Sequence, residues 1–255
     1  MVEDATLVNT GSPRPQPNPG LPTAKLVSRR DISEDLIVIR LEPQDGLFTF
    51  KPSQYCTLGL DGIERAYSIA SAPHEPELEI FVELVPEGEL TPRIFRMQVG
   101  DLMSIRARAK GIFTMNQKVH NHFMVATVTG VAPYISIVRD YLHNGSEGHK
   151  FYVLLGASYV DELTYDTELA ALESKFPDTV VFVPAVSRPN EERNSQWQGA
   201  KGRVNTITEE YMSKFDLTKD DTMVYACGHP GMIEDVKARF VTAGWKFKEE
   251  RFWKE

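Results

Sequence analysis

Cysteine is scarce in this chain of 255 residues, which has two, Cys56 and Cys227. They lie far apart, so no disulfide framework is expected, and no clustered spacing suits a zinc site or an iron–sulfur centre. A reduced, cytoplasmic setting is the expectation. Long apolar runs are also lacking; none approaches the ~18 residues of a membrane-spanning helix, so no membrane insertion is expected. The opening Met1-Val2-Glu3-Asp4 has neither the basic segment nor the apolar core of a signal peptide. Positive charge is in deficit, with 28 Lys and Arg against 36 Asp and Glu and a net charge of −8. Phosphate-backbone binding needs a concentrated basic surface, so a nucleic-acid partner is disfavoured. No internal repeat of solenoid period is seen, and the G-x-G-x-x-G dinucleotide fingerprint is absent.

What is present divides the chain. Residues 1–22 include Pro13, Pro15, Pro17, Pro19 and Pro22 and read as an extended or flexible arm, with packing along the surface as an alternative. Residues 23–118 show short strands between turns: Leu36–Leu41, Tyr55–Leu60, Leu78–Val85 and Asp101–Ala107. That rhythm predicts an antiparallel β-barrel. A single short helix is expected over Thr91–Met97, with Thr91 as N-cap and Pro92 at its first position. Residues 119–255 change rhythm. Apolar strands at His122–Thr127, Phe151–Leu155, Val180–Val186 and Met223–Gly228 alternate with helices from near Pro133, over Glu162–Ser174, over Thr206–Phe215 and over Pro230–Ala243. That alternation predicts an α/β domain with a parallel sheet, whose ligands bind beyond the carboxyl ends of the strands.

Several segments have the chemistry for such a site. Arg65-Ala66-Tyr67-Ser68 combines a cation, a flat ring and a hydroxyl; a clamp for phosphate and ring, or a surface arginine beside a core tyrosine, would look alike. Gly111 and Thr114 follow a basic strand and suit either a pyrophosphate or a plain turn. Thr127-Val128-Thr129-Gly130-Val131-Ala132-Pro133 and Tyr225-Ala226-Cys227-Gly228-His229-Pro230-Gly231-Met232 each join an apolar strand to a helix start, where free amides favour anions. Ser187-Arg188 and Lys201-Gly202-Arg203 place cations beyond one sheet edge, as a phosphate site or as solvated loops. Cys227 is either packing or a soft ring contact. Phe252 and Trp253 are aromatic where chain termini are normally polar.

Taken in order, these motifs resemble the bacterial-type ferredoxin/flavodoxin–NADP reductases over residues 25–255. The resemblance rests on Arg65–Ser68, Pro86–Arg93, Gly130–Pro133, Ser187-Arg188, Gly202-Arg203, Cys227–Pro230 and the terminal acid-x-aromatic pattern. It implies a two-domain fold, an FAD-binding barrel followed by an NADP-binding α/β domain, and hydride transfer between NADP(H) and FAD with single electrons passing to or from ferredoxin or flavodoxin. FAD would be held by Arg65, Ala66, Tyr67, Ser68, Phe81, Glu89, Leu90, Thr91, Gly111, Thr114 and Thr129, with Phe252 on the other ring face and Trp253 on the adenine. Ser68, Cys227, Glu250 and Phe252 would stand at the point of hydride transfer. NADP would meet Ala157, Ser158, Ser187, Arg188, Arg203, His229, Pro230 and Gly231. Ser158 and Val128 depart from the family pattern, which expects arginine and glycine there. The chain would be a monomer or weak dimer, with Arg29, Arg30, Arg106, Arg108 and Lys110 as a carrier-docking face. The alternatives are an NAD(P)H:flavin reductase, an oxygenase reductase component, and a non-catalytic nucleotide-binding module.

Overall fold

The computed structural model describes residues 13–251. Its first half is an antiparallel sheet curled into a barrel: β1 (Thr23–Asp31), β2 (Leu36–Pro43), β3 (Tyr55–Leu60), β4 (Ile63–Ser68), β5 (Leu78–Glu83) and β6 (Leu102–Ile105), in the order β4-β3-β6-β1-β2-β5. The edge strands β4 and β5 approach one another across the opening. Alternate residues of β1, such as Ala24 and Leu26, turn into a core shared with Ile37, Ile39, Leu58, Ile80 and Met103, as the two-residue period of a half-buried strand dictates. Between β5 and β6 lies α1 (Thr91–Phe95).

Two local expectations are corrected here. Leu90, not Thr91, is the N-cap of α1. The Thr91 hydroxyl instead accepts from Val85 N and donates to Val85 O, closing the loop ahead of the helix. Where it is described, the proline arm packs along the barrel, the alternative reading. Asn18 N donates to Ser104 Oγ, Asn18 Oδ1 accepts from Gly62 N, and Arg14 pairs with Asp101 at 3.1 Å. Proline without a free N–H suits such a strap, whose bonds come from the residues between the prolines. Residues 1–12 lie outside the described residues.

The second half is a parallel sheet: β7 (Asn121–Thr127), β8 (Lys150–Ala157), β9 (Val180–Val186), β10 (Ala200–Lys201), β11 (Thr222–Cys227) and β12 (Lys246–Glu250), in the order β10-β9-β8-β7-β11-β12. The helices α2 (Ala132–His143), α3 (Asp166–Lys175), α4 (Thr208–Lys214) and α5 (Pro230–Thr242) lie between strands. β7, β8 and β11 are buried almost throughout, which is the pattern of strands covered on both faces. α3 starts at Asp166 rather than Glu162, and α4 at Thr208 rather than Thr206, because a short 3₁₀ turn leads into each. β10 and β12 went unread in the sequence: β10 has two residues, and the Lys-Phe-Lys-Glu-Glu of β12 is mostly charged.

The halves are not loosely tethered. Leu36, Val38, Ala70 and Phe81 of the barrel share one apolar cluster with Val131, Ile135 and Val138 of the second half, and Ser136 Oγ donates to Ser71 O at 2.7 Å. At its rim Arg139 of α2 reaches Glu75 (3.3 Å), Glu79 (3.0 Å) and Glu168 (2.7 Å). Glu79 also accepts from Arg40 and from the Tyr165 hydroxyl. Burial works to raise the Glu79 carboxyl, but Arg139 and Arg40 outweigh it and hold the group below the usual carboxylate range. Arg139→Ala should therefore leave a buried anion short of its main partner and cost about 3–5 kcal/mol. Urea denaturation of the variant beside the wild type measures this; a loss below about 1 kcal/mol would show the network to be worth no more than a surface pair.

Candidate functional site

The parallel sheet runs β7, β8, β9 to one side and then returns to β11 and β12 on the other, so its topological switch point falls between β7 and β11. Both strands end there in glycine-bearing turns that touch. A Cβ on Gly130 would overlap the carbonyl of Cys227, and one on Gly228, whose φ is +125°, would overlap the Thr127 hydroxyl. Thr127 Oγ1 accepts from His229 N at 2.7 Å, which pins the second turn to the end of β7. His229 then caps α5, its Nδ1 accepting from Gly231 N at 3.1 Å, and Pro230 supplies the preset φ of the first helical position. Between the turns Val128 sits at φ +43°, a left-handed conformation that is rare for a β-branched residue.

Two cavities meet at this crossing. The first, of about 740 Å³, is lined from the barrel by Arg65, Ala66, Tyr67 and Ser68 of β4, by Phe81 and Glu83 of β5, by Val85 and by Glu87 to Thr91, and from the sheet domain by Thr129, Gly130, Ala132 and Gly228. The second, of about 820 Å³, is lined by Val128, Ala157, Ser158, Ser187, Arg188, Arg203, Asn205, His229, Pro230 and Gly231, among others. Glu83, Thr129 and Gly228 line both. The structure thus gathers Arg65, Ala66, Tyr67, Ser68, Phe81, Glu89, Leu90, Thr91 and Thr129 round one space, and Ala157, Ser158, Ser187, Arg188, Arg203, His229, Pro230 and Gly231 round the next.

Other expected site residues stand behind these walls. Gly111 and Thr114 line neither cavity. Gly111 lies against the Tyr55 ring and Glu250 Oε1, and the Thr114 carbonyl accepts from Lys248 Nζ at 2.7 Å. Cys227 and Glu250 are paired in register at the ends of β11 and β12. Burial pushes the Cys227 thiol well up, with the Glu250 charge adding to it, so the sulfur is a thiol and not a thiolate. Phe252 and Trp253 lie outside the described residues. Glu83 and Asn205 went unread. Glu83 carried the one available signal, an acid ending an apolar strand; Asn205 depends on which turns touch.

The electrostatics of the first cavity are those of a polar ring site. Among the described residues, Ser68 Oγ on the cavity wall is buried with no hydrogen-bond partner, and so is Glu250 Oε2, which stands behind that wall. Orphaned buried polar atoms in a cleft are what a bound group would satisfy. Tyr67 presents a ring whose hydroxyl is held protonated by burial. At the mouth, Arg65 pairs with Glu89 at 2.6 Å, both exposed to solvent. Among the expected docking cations, Arg106 is committed to Glu64 and Arg29 to Asp31 and to the carbonyls of Phe95 and Met97.

Burial pushes the Glu250 carboxyl up to about 8, against about 4.3 for an unfolded glutamate. Between those values the folded chain holds a proton that the unfolded chain releases. Stability therefore falls as pH rises through that window, by about 1.4 kcal/mol per unit from this group. Buried His122, lowered to about 3, acts oppositely below pH ~6.5, so the measurement is the difference between wild type and Glu250→Gln. Urea titrations at several pH values should show the variant gaining on the wild type as pH rises from about 5 to 8. Parallel curves would mean that Glu250 is ionised throughout.

Comparison with known proteins agrees with this geometry. The oxidoreductase FAD-binding domain family matches residues 23–113, and the oxidoreductase NAD-binding domain family matches residues 124–238. The flavodoxin/ferredoxin–NADP reductase of Escherichia coli (strain K12) is 30% identical over 199 residues, covering 74% of this chain and 77% of that protein. A ferredoxin–NADP reductase of Pseudomonas aeruginosa is 28% identical over 237 residues, covering 88% and 90%. Among solved structures, a ferredoxin NADP+ reductase from Neisseria gonorrhoeae with bound FAD and NADP superposes with a TM-score of 0.78 at 23% identity, over 91% of this chain and 98% of that one. With an FAD-binding barrel, an NAD-binding α/β domain and a relative of that identity, the chain belongs to the flavodoxin/ferredoxin–NADP reductase family of oxidoreductases.

Proposed function

We propose that this chain is a cytoplasmic, NADPH-dependent reductase that exchanges single electrons with a ferredoxin or flavodoxin. The observation that carries the reading is the shared wall: Glu83, Thr129 and Gly228 border both cavities, so rings lodged in the two would meet there. FAD in the first cavity would supply the chemistry, taking a hydride as an electron pair and giving electrons up singly.

The residues divide the remaining work. Tyr67 offers a flat apolar wall, and the orphaned Ser68 hydroxyl a hydrogen bond to the ring edge. Arg65 leaves Glu89 for a phosphate, with Phe81, Leu90 and Thr91 closing the same space. The Gly130–Gly228 crossing lets backbone, without side chains, stand against the reacting rings. His229, Pro230 and Gly231 start α5 under the nicotinamide nucleotide, and Ala157, Ser158, Ser187, Arg188 and Arg203 take its 2′-phosphate side. Glu250 keeps a proton at neutral pH on a carboxyl beside Cys227. β12, parallel to β11, carries the chain to the ligand edge two residues before Phe252. That placement and the family resemblance support Phe252 and Trp253 as the covers of flavin and adenine.

Anaerobic titration tests the reading. The purified protein should carry FAD, whose visible absorbance should bleach with NADPH and more weakly with NADH, and the reduced protein should pass electrons to ferredoxin or flavodoxin faster than to free flavin. No bleaching would make the chain a nucleotide binder; faster transfer to free flavin would make it a flavin reductase. Arg188→Ala should weaken NADP+ binding by about tenfold, the size of one charge-assisted hydrogen bond. NAD+ should change by less than about twofold, since it has no group for that arginine; equal losses would move the phosphate site elsewhere.

A further inference from the structure

We propose that Glu191 is a specificity-determining residue of the second cavity: it holds Arg188 in an ion pair that a 2′-phosphate has to displace, and so weakens the preference for a 2′-phosphorylated nucleotide. The inference rests on the reading of that cavity as the nicotinamide-nucleotide site. Arg188 lines the cavity. Its Nη1 lies 3.6 Å from Glu191 Oε1 and donates to the Tyr159 hydroxyl at 2.9 Å. That hydroxyl in turn donates to Glu191 Oε2. The guanidinium is thus bound to one carboxylate twice, directly and through a phenol.

The arrangement is built by the fold. Glu191 N donates to Arg188 O in a tight turn, and Asn194 Nδ2 ties the carbonyls of Arg188 and Ser158 together at 2.9 Å each. Two guanidinium groups pack against the Tyr159 ring, with Arg188 5.3 Å and Arg193 4.0 Å from its centroid. Arg193 is itself fixed by Asp161 at 2.6 Å and Glu162 at 3.6 Å. Tyr159 is therefore held in place and points its hydroxyl at Glu191. On the same cavity wall, the guanidinium of Arg203 has no ion pair or hydrogen bond among the described residues. One cation is open to an incoming anion and the other is already answered. A 2′-phosphate gains Arg188 only by exchange, and it then sits near a carboxylate that has lost its partner.

Glu191→Gln keeps the length and hydrogen-bonding capacity of the side chain and removes its charge. The probes are 2′,5′-ADP, which has the 2′-phosphate and no nicotinamide, and 5′-AMP, which lacks the phosphate. Both are titrated calorimetrically into the flavin-loaded protein. The variant should bind 2′,5′-ADP about fivefold more tightly, the upper range for release of an exposed ion pair, with 5′-AMP unchanged within about 1.5-fold. In an Arg188→Ala background the same substitution should lose most of that gain, since there is no cation left to release. An unchanged affinity for 2′,5′-ADP, an equal rise for both probes, or a full gain without Arg188 would each overturn the role of Glu191. A wild-type protein that binds neither probe would instead overturn the reading of the cavity.

Discussion

The contact on which the site depends is backbone against backbone. The turn after β7 and the turn after β11 cross so closely that a single methyl group at Gly130 would collide with the Cys227 carbonyl. The sheet domain has its switch point there because the chain leaves β7 toward β8 and β9 and later returns to the other side as β11. At such a point the strand ends diverge and leave a crevice. In this chain the crevice floor is drawn together instead, by two glycines and the Thr127 hydroxyl. The barrel's β4 and β5 line the first cavity opposite this floor, and Glu83, Thr129 and Gly228 border both cavities.

That crossing places demands on its surroundings. The proposed site needs a barrel that does not swing, so that Tyr67 and Ser68 stay on the cavity that Thr129 and Gly228 line from the other half. The apolar cluster joining Leu36, Val38 and Phe81 to α2 supplies the attraction, and the Arg139–Glu79–Tyr165 network fixes its direction. Buried charge is a poor source of stability and a better source of registration. Val128 shows the strain at the crossing: packed beside the core and held at positive φ, it stays where glycine would be at ease.

Much of this was legible in the sequence, for specific reasons. Strands such as Val180–Val186 and the Pro230 helix start are local signals, and they fell where periodicity and proline chemistry put them. The cavity residues of β4 were singled out by the order of motifs along the chain, since Arg65-Ala66-Tyr67-Ser68 alone suits a clamp and an ordinary strand equally. What could not be read was whatever depends on partners far along the chain. The charged β12 is a strand only because β11 lies beside it. Thr91 has the composition of a cap, yet Val85 competes for its hydroxyl and wins. The proline arm has the composition of a disordered segment, yet Asn18 finds Ser104 and Gly62.

Charge follows the same logic at the site itself. With acidic residues outnumbering basic ones, 36 to 28, an arginine placed for an anionic ligand will often meet a carboxylate of its own chain first. Arg65 meets Glu89 and Arg188 meets Glu191, both at the rims of their cavities and both in water. Neither pair adds much to stability at such exposure. Their consequence is for the proposed binding: each phosphate would arrive by exchange, so its net gain would be the difference between two ion pairs, not the whole of one. Polar groups deeper in the cleft behave in the opposite way. Ser68 Oγ, on the wall of the first cavity, is buried without a partner among the described residues, and a group that satisfies it relieves the cost of its desolvation. The rim is thus weakly selective by charge, while the floor is strongly selective by hydrogen bonding and shape. That division suits a reductase that must keep one nucleotide permanently and release another at every turnover.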